Sequence, residues 1–248
     1  WCELEATDYG LGDTAFLDAC YRGHVECMRL LVEAGCNTAA TSNDGRNALI
    51  NETFSGIPSA VRTALEAGWC ELEATNMDGD TAFLCACNDG NVECMQLLAD
   101  AGCNTAVKDK ASLTALIHAT TSGVTGAVRI VLAADWCELD AEDARGNTAF
   151  LIACYRGHVE CMRLLVEAGC NTAVGRDNDA AALRFATCSG VASALRMVLA
   201  AGWCELDAED EEGNTAFLLA CNRGHVECMQ LLVDAGCNTA VDSSDGRN

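Results

Sequence analysis

The chain has 248 residues, a formal net charge of −22 and eighteen cysteines, and aromatics make up only 5% of it. The charge argues against DNA, RNA and anionic membrane surfaces as partners, because phosphate binding needs Lys and Arg to displace counterions. No run approaches the ~20 consecutive apolar residues of a membrane span, and no basic-then-apolar leader opens the sequence, so a soluble protein without membrane insertion is expected.

From Thr14, the segment TAFLDACYRG sets Ala15, Phe16, Ala19 and Cys20 on one side at helical spacing and closes at Gly23, which predicts a short first helix. His24 then opens VECMRLLVEA, with Val25, Met28, Leu31 and Val32 on one face and Gly35 supplying the left-handed residue that ends a second helix. Ser42-Asn43-Asp44-Gly45 has the composition of a tight turn. The next unit begins at Asn47-Ala48-Leu49-Ile50 and continues through SGIPSAVRTALEAG at 55–68, a variant of the same plan. Residues 153–173 then repeat residues 19–39 letter for letter.

Cys2, Cys36, Cys70, Cys103, Cys137, Cys170, Cys204 and Cys237 mark steps of 33 or 34 residues, alternating from Cys36 onward, and Trp-Cys-Glu-Leu recurs at Trp1, Trp69, Trp136 and Trp203. A period of this length signals stacked supersecondary units. The reading is all-α: an α-solenoid of helix-turn-helix units with hairpin-like loops. It is one array over residues 1–248, with seven helix pairs in 67-residue double repeats and partial units at both ends. Because it begins and ends within a unit without a polar capping repeat, it is expected to be an excerpt of a longer array or the ordered part of one. Each inserted Trp is expected to cover an edge.

The cysteines follow the repeat and give no separate pairing framework, so they read as reduced thiols packed as small hydrophobes, which favours the cytoplasm or another reducing compartment. Acidic residues gather between helix pairs, as at Glu71 and Glu73, Glu138, Asp140 and Glu142, and 205–212. These are either a solvated face or a docking surface for a basic partner.

The matches Asp-x-x-Gly-x-Thr-Ala, Ala-Cys-x-x-Gly-His-x-Glu and Leu-Leu-x-x-Ala-Gly fall at Thr14, Ala19, Gly23, His24, Glu26, Leu30, Leu31 and Gly35. They recur at Thr148, Ala153, Gly157, His158, Glu160, Leu164, Leu165 and Gly169. On these the chain resembles the ankyrin-repeat family, whose unit is a β-turn plus two helices over 33 residues. The family's Thr-Pro-Leu-His becomes Thr14-Ala15-Phe16-Leu17, so the His that ties neighbouring units by hydrogen bonds is missing.

No catalytic residue is assigned. His24, His158 and His225 recur at one position and read as helix-start residues bonded to a neighbouring loop. His118 is the one His outside that register, on the first helix of an even unit, where it faces a groove. No Cys-x-x-Cys pair exists to seed a zinc knuckle, and no phosphate loop follows a strand, so neither metal nor cofactor is expected.

Two positions vary while the frame holds. One is filled in turn by Asp18, Asn51, Cys85, His118, Ile152, Phe185 and Leu219, and the other by Tyr21, Phe54, Asn88, Thr121, Tyr155, Cys188 and Asn222. Unselected drift after duplication is one account of them, and partner contact the other. Large aromatics in a chain poor in them favour contact. The resemblance implies that these first-helix stripes line a concave surface together with the tips Tyr9, Met77, Lys110 and Arg145. The function expected is a non-enzymatic scaffold binding a protein partner through that face. The alternative is a structural spacer or assembly subunit of a larger complex, and a thiol-based redox or metal-binding role stands behind both.

Overall fold

A computed structural model describes residues 3–69, 71–134, 137–172, 181–202 and 205–240. Of the four tryptophans that recur with the repeat, only Trp69 lies within them. The described residues form fourteen helices and no strand. The first helices are α1 (Ala15–Tyr21), α3 (Ala48–Ser55), α5 (Ala82–Asp89), α7 (Ala115–Ser122), α9 (Ala149–Arg156), α11 (Ala181–Ser189) and α13 (Ala216–Arg223). Each is followed by its second helix: α2 (Val25–Glu33), α4 (Pro58–Ala67), α6 (Val92–Asp100), α8 (Thr125–Ala133), α10 (Val159–Glu167), α12 (Ala192–Ala201) and α14 (Val226–Asp234). The fold is an all-α repeat solenoid.

The chain divides into two compact units, Trp1–Ser122 with Arg129–Cys137, and Gly123–Val128 with Glu138–Asn248. In the first, α1, α3, α5 and α7 stack in sequence, as do α2, α4 and α6 behind them. In the second, α9, α11 and α13 form the front layer and α10, α12 and α14 the back.

Local chemistry sets the helix ends. Thr14, Thr81, Thr148 and Thr215 cap first helices, each accepting the backbone N–H three residues on, and Asn47 does the same through its amide oxygen. The side chains of His24, His158 and His225 stand at helix starts without a capping hydrogen bond. The rings of His158 and His225 instead lie against Gly123 and Gly190, each on the preceding repeat, at distances that leave no room for a Cβ there. Asn91, in the same register, donates to the Thr53 carbonyl at 2.8 Å. The expected loop bond is thus a packing contact for these histidines and a hydrogen bond for the asparagine.

The front layer is lined by Phe16, Phe83 and Phe150 with Ala and Cys, all buried. Small residues at Ala19 and Cys20 let helices approach closely. Trp69, partly buried, packs on this core against Phe16, ring centroids 5.7 Å apart and planes at 74°.

Repeats are tied together without the family's missing histidine. The tip backbones bond in a ladder: Asn43 N–H to Leu11 O and Met77 N–H to Asp44 O, both 2.8 Å, and Lys110 N–H to Asp78 O, 3.0 Å. A second series uses the acidic residues between helix pairs. Glu5, Glu73, Asp140 and Asp207 accept the backbone N–H of Asn37, Asn104, Asn171 and Asn238, at 2.7–2.8 Å. Part of the acidic load is therefore structural, not merely solvating.

Gly79 shows how tightly the tips stack. Its φ is +89°, and a Cβ there would stand 2.9 Å from the Lys110 backbone nitrogen. Gly79→Ala is expected to lower stability by roughly 1–3 kcal/mol, read by urea denaturation, whereas Gly35→Ala, with open space around it, is expected to cost only the backbone strain.

One core position breaks the pattern. Where other repeats carry Ala19, Ala86 or Ala153, α3 carries Glu52, fully buried. Burial pushes its carboxyl up to about 8, with the neighbouring Cys20 thiol offsetting part of the shift. The folded state holds this proton more tightly than the unfolded chain, so its contribution is fully present below about pH 4.5 and is lost as pH rises to about 8. Glu52→Gln is expected to flatten that fall, leaving the variant more stable than the parent at pH 8 by on the order of a few kcal/mol. Denaturation midpoints of both proteins across pH 5–9 check it.

Candidate functional site

The variable positions of the first helices lie on one side of each stack, set there by the Thr or Asn cap that fixes where each helix begins. The two stripes differ in depth. Along the first, Asp18 is exposed and paired with Arg22 at 3.0 Å, whereas Asn51, Cys85 and His118 are buried. Ile152, Phe185 and Leu219 are half-buried. Asn51 donates from Nδ2 to the Leu17 carbonyl at 3.4 Å and so belongs to the stacking of α3 on α1. The first stripe forms a floor.

The second stripe stands above it. Tyr21 is 45% exposed, Phe54 37% and Tyr155 46%. Asn88 and Asn222 are exposed, while Thr121 and Cys188 are half-buried. Thr121 donates its hydroxyl to the Ile117 carbonyl at 2.9 Å. The carbonyl of Cys188 accepts from Arg223 at 3.0 Å.

The aromatics come together in pairs. In the first unit the rings of Tyr21 and Phe54 sit 6.4 Å apart, tilted by 45°. In the second, Tyr155 and Phe185 meet edge-to-face at 5.8 Å. The Arg46 guanidinium lies 5.8 Å from the Tyr21 ring and 5.5 Å from the Phe54 ring, and Asp44 fixes it at 2.8 Å. Arg46 went unnoticed in the sequence because its register, just ahead of the first helix, carries Asp13, Asp80, Leu113 and Asn147 elsewhere. The tips Tyr9, Met77, Lys110 and Arg145 are all exposed, and Lys110 donates to the Met77 carbonyl.

His118, the out-of-register histidine, lies between two carboxylates. Its Nε2 is 3.2 Å from Asp109 Oδ2 and 3.5 Å from Asp80 Oδ1. The cleft beside it is lined by Asp78, Asn88, Lys110, Ala111 and Leu113.

The thiols enclosed by the stack are poor nucleophiles. Burial pushes Cys94 up to about 11 and Cys103 and Cys170 to about 12, and it raises Cys85 further. Since the thiolate is the reactive form, these positions carry little thiol chemistry near neutral pH. No disulfide occurs at Cys27, Cys36, Cys85, Cys94, Cys103 or Cys170.

A stack of paired helices presenting aromatics and loop tips on one side is a repeat-built protein-interaction module. Family models described as ankyrin repeats in three copies match residues 53–137 and 127–202, and single ankyrin-repeat models match 11–43 and 212–245. The chain belongs to the ankyrin-repeat family, a fold that is generally a non-enzymatic interaction module. Among solved structures, the human ASB11 ankyrin repeat domain superposes with a TM-score of 0.77 at 21% identity, covering 92% of this chain and all of that one. Among curated proteins, the B-cell lymphoma 3 protein homolog of Mus musculus is 29% identical over 175 residues, 69% of this chain and 39% of that protein. The NF-kappa-B inhibitor cactus of Drosophila yakuba is 25% identical over 215 residues, 86% of this chain and 42% of that protein. A probable E3 ubiquitin-protein ligase, XBOS33 of Oryza sativa subsp. japonica, is 28% identical over 161 residues, 61% of this chain and 31% of that protein. The chain thus spans less than half the length of these relatives. No helix among the described residues is long and apolar enough to cross a membrane.

The thiol environments differ enough to measure. Cys27 is exposed and Cys94 is buried, so a maleimide applied to the native protein is expected to label Cys27 within minutes and Cys94 only after denaturant. Peptide mass spectrometry reads both sites.

Proposed function

We propose that this chain is a non-enzymatic scaffold that holds a protein partner against the first-helix side of its repeats, concave in the family, by shape and charge with no bond chemistry. The observation that carries it is the pairing of half-exposed aromatics on that side, Tyr21 with Phe54 and Tyr155 with Phe185. A soluble chain with few aromatics gains nothing by keeping them at the surface, whereas large rigid rings are what interface hot spots use.

The contacting residues are the exposed members of the two stripes, namely Asp18, Tyr21, Phe54, Asn88, Tyr155 and Asn222, with the buried ones shaping the floor. The net charge of −22 supports a partner that presents basic side chains around an apolar centre. Free cysteines along the stack support a reducing compartment such as the cytoplasm. One matching relative is named as an inhibitor of NF-kappa-B, which supports reading an array of this kind as one that acts by holding a partner.

Cross-linking mass spectrometry on the protein in its native extract tests the reading. Links from Lys108, Lys110 or the acidic tips to one foreign protein are expected. Links confined to the first and last repeats, or to other copies of the chain, would make it a structural subunit instead. With the partner in hand, the double substitution Tyr21→Ala, Phe54→Ala is expected to weaken binding by roughly 30-fold or more (about 2 kcal/mol) with little change in the melting temperature.

A further inference from the structure

Among the described residues, three side chains of metal-binding type converge at one place: Asp80, Asp109 and His118 each offer a ligand atom within 4.8 Å of the others. Each comes from a different element. Asp80 precedes α5, Asp109 anchors the following tip, and His118 lies on α7.

The other atoms of the two carboxylates are already committed. Asp109 Oδ1 accepts the backbone N–H groups of Ala111 and Leu113, both at 2.8 Å, which locks the tip and aims Oδ2 at His118. Asp80 Oδ2 accepts from the Asn76 side chain at 3.2 Å, which leaves Oδ1 facing inward. His118 is 6% exposed, and its Nε2 makes no hydrogen bond; neither does Asp80 Oδ1. The site therefore holds a buried imidazole nitrogen and a carboxylate oxygen that face each other without hydrogen-bond geometry, an arrangement that is costly unless a ligand takes it up.

We propose that Asp80, Asp109 and His118 bind a divalent transition-metal ion of the zinc class. Bonds of about 2.0–2.1 Å in tetrahedral geometry separate ligand atoms by roughly 3.3–3.4 Å, and the observed separations from Nε2 are 3.2 and 3.5 Å. An imidazole in the donor set selects such an ion over magnesium or calcium. A cation also neutralises the two carboxylates that face His118. The fourth position opens on the cleft lined by Asn88 and Lys110.

The combination belongs to one place in the first unit. In the same three registers the preceding repeats carry Asp13, Ser42 and Asn51, then Arg46, Asn76 and Cys85. The ion clips one repeat's loop to the next repeat's first helix.

The test uses chelator-treated protein of residues 1–248 titrated with Co2+ as a spectroscopic probe and then with Zn2+. One equivalent of Co2+ is expected, with tetrahedral d–d bands, no thiolate charge-transfer band, and displacement by Zn2+. His118→Leu, which installs the residue that Leu219 supplies in the same register, is expected to remove that equivalent while leaving the circular dichroism of the metal-stripped protein unchanged. Asp80→Asn is expected to weaken binding at least roughly tenfold, since loss of even an outer partner costs that much, and it carries the test if His118→Leu fails to fold. Absence of Co2+ and Zn2+ binding would overturn the proposal. So would a thiolate band with stoichiometry untouched by either substitution, which would put the metal on cysteines.

Discussion

Every element of this molecule is too short to stand by itself. The helices run from seven to ten residues, below the ~12–15 at which an isolated helix becomes marginal in water. What holds them is contact between successive repeats, so each repeat is stable only because a neighbour covers it. This explains why inter-repeat bonds recur with such regularity. The tip ladder and the acidic acceptors at Glu5, Glu73, Asp140 and Asp207 fix the spacing and twist from one repeat to the next, and the Phe, Ala and Cys of the front layer then meet in register.

Against that regular background a few substitutions give single repeats their own character. Glu52 replaces an alanine in the core, Arg46 brings a guanidinium beneath two aromatic rings, and His118 stands between two carboxylates. All three lie in or beside the first helices. That layer tolerates specialisation because the recurrent loop bonds between repeats end on backbone groups and do not depend on which side chain occupies most of its variable positions.

The fold was legible because its signals are local and repeated. Thr14 at the cap, Gly23 and Gly35 at the ends, and apolar residues three or four apart each speak within one turn, and seven copies in phase leave one interpretation. The surface was legible only in part. The alignment of repeats picked out the variable stripes, yet it ranked Asn51, Cys85 and His118 beside Tyr21 and Phe54, and the structure buries the first three. Sequence variation does not distinguish a floor from a rim. Asp80, Asp109 and His118 come from two successive repeats, so no spacing motif within one unit reports them. His118's departure from the register of the other histidines was the available clue. The acidic residues between helix pairs were visible, but their role as acceptors was not, because each reaches a backbone group 31 or 32 residues away and backbone groups have no letter in a sequence.

The identity of residues 19–39 and 153–173 has a consequence of its own. The helices α2 and α10 are the same nine residues, yet Leu30 is 64% exposed and its twin Leu164 only 8%. Cys27 is exposed and Cys161 is buried. Nothing in the letters separates them, so what stands beside each copy makes the difference. A substitution in this chain therefore has a meaning set by its address in the stack, and a motif scored once does not transfer its energetics to its duplicate. Duplication copies the residues of a repeat, while the protein assigns each copy its work afterward.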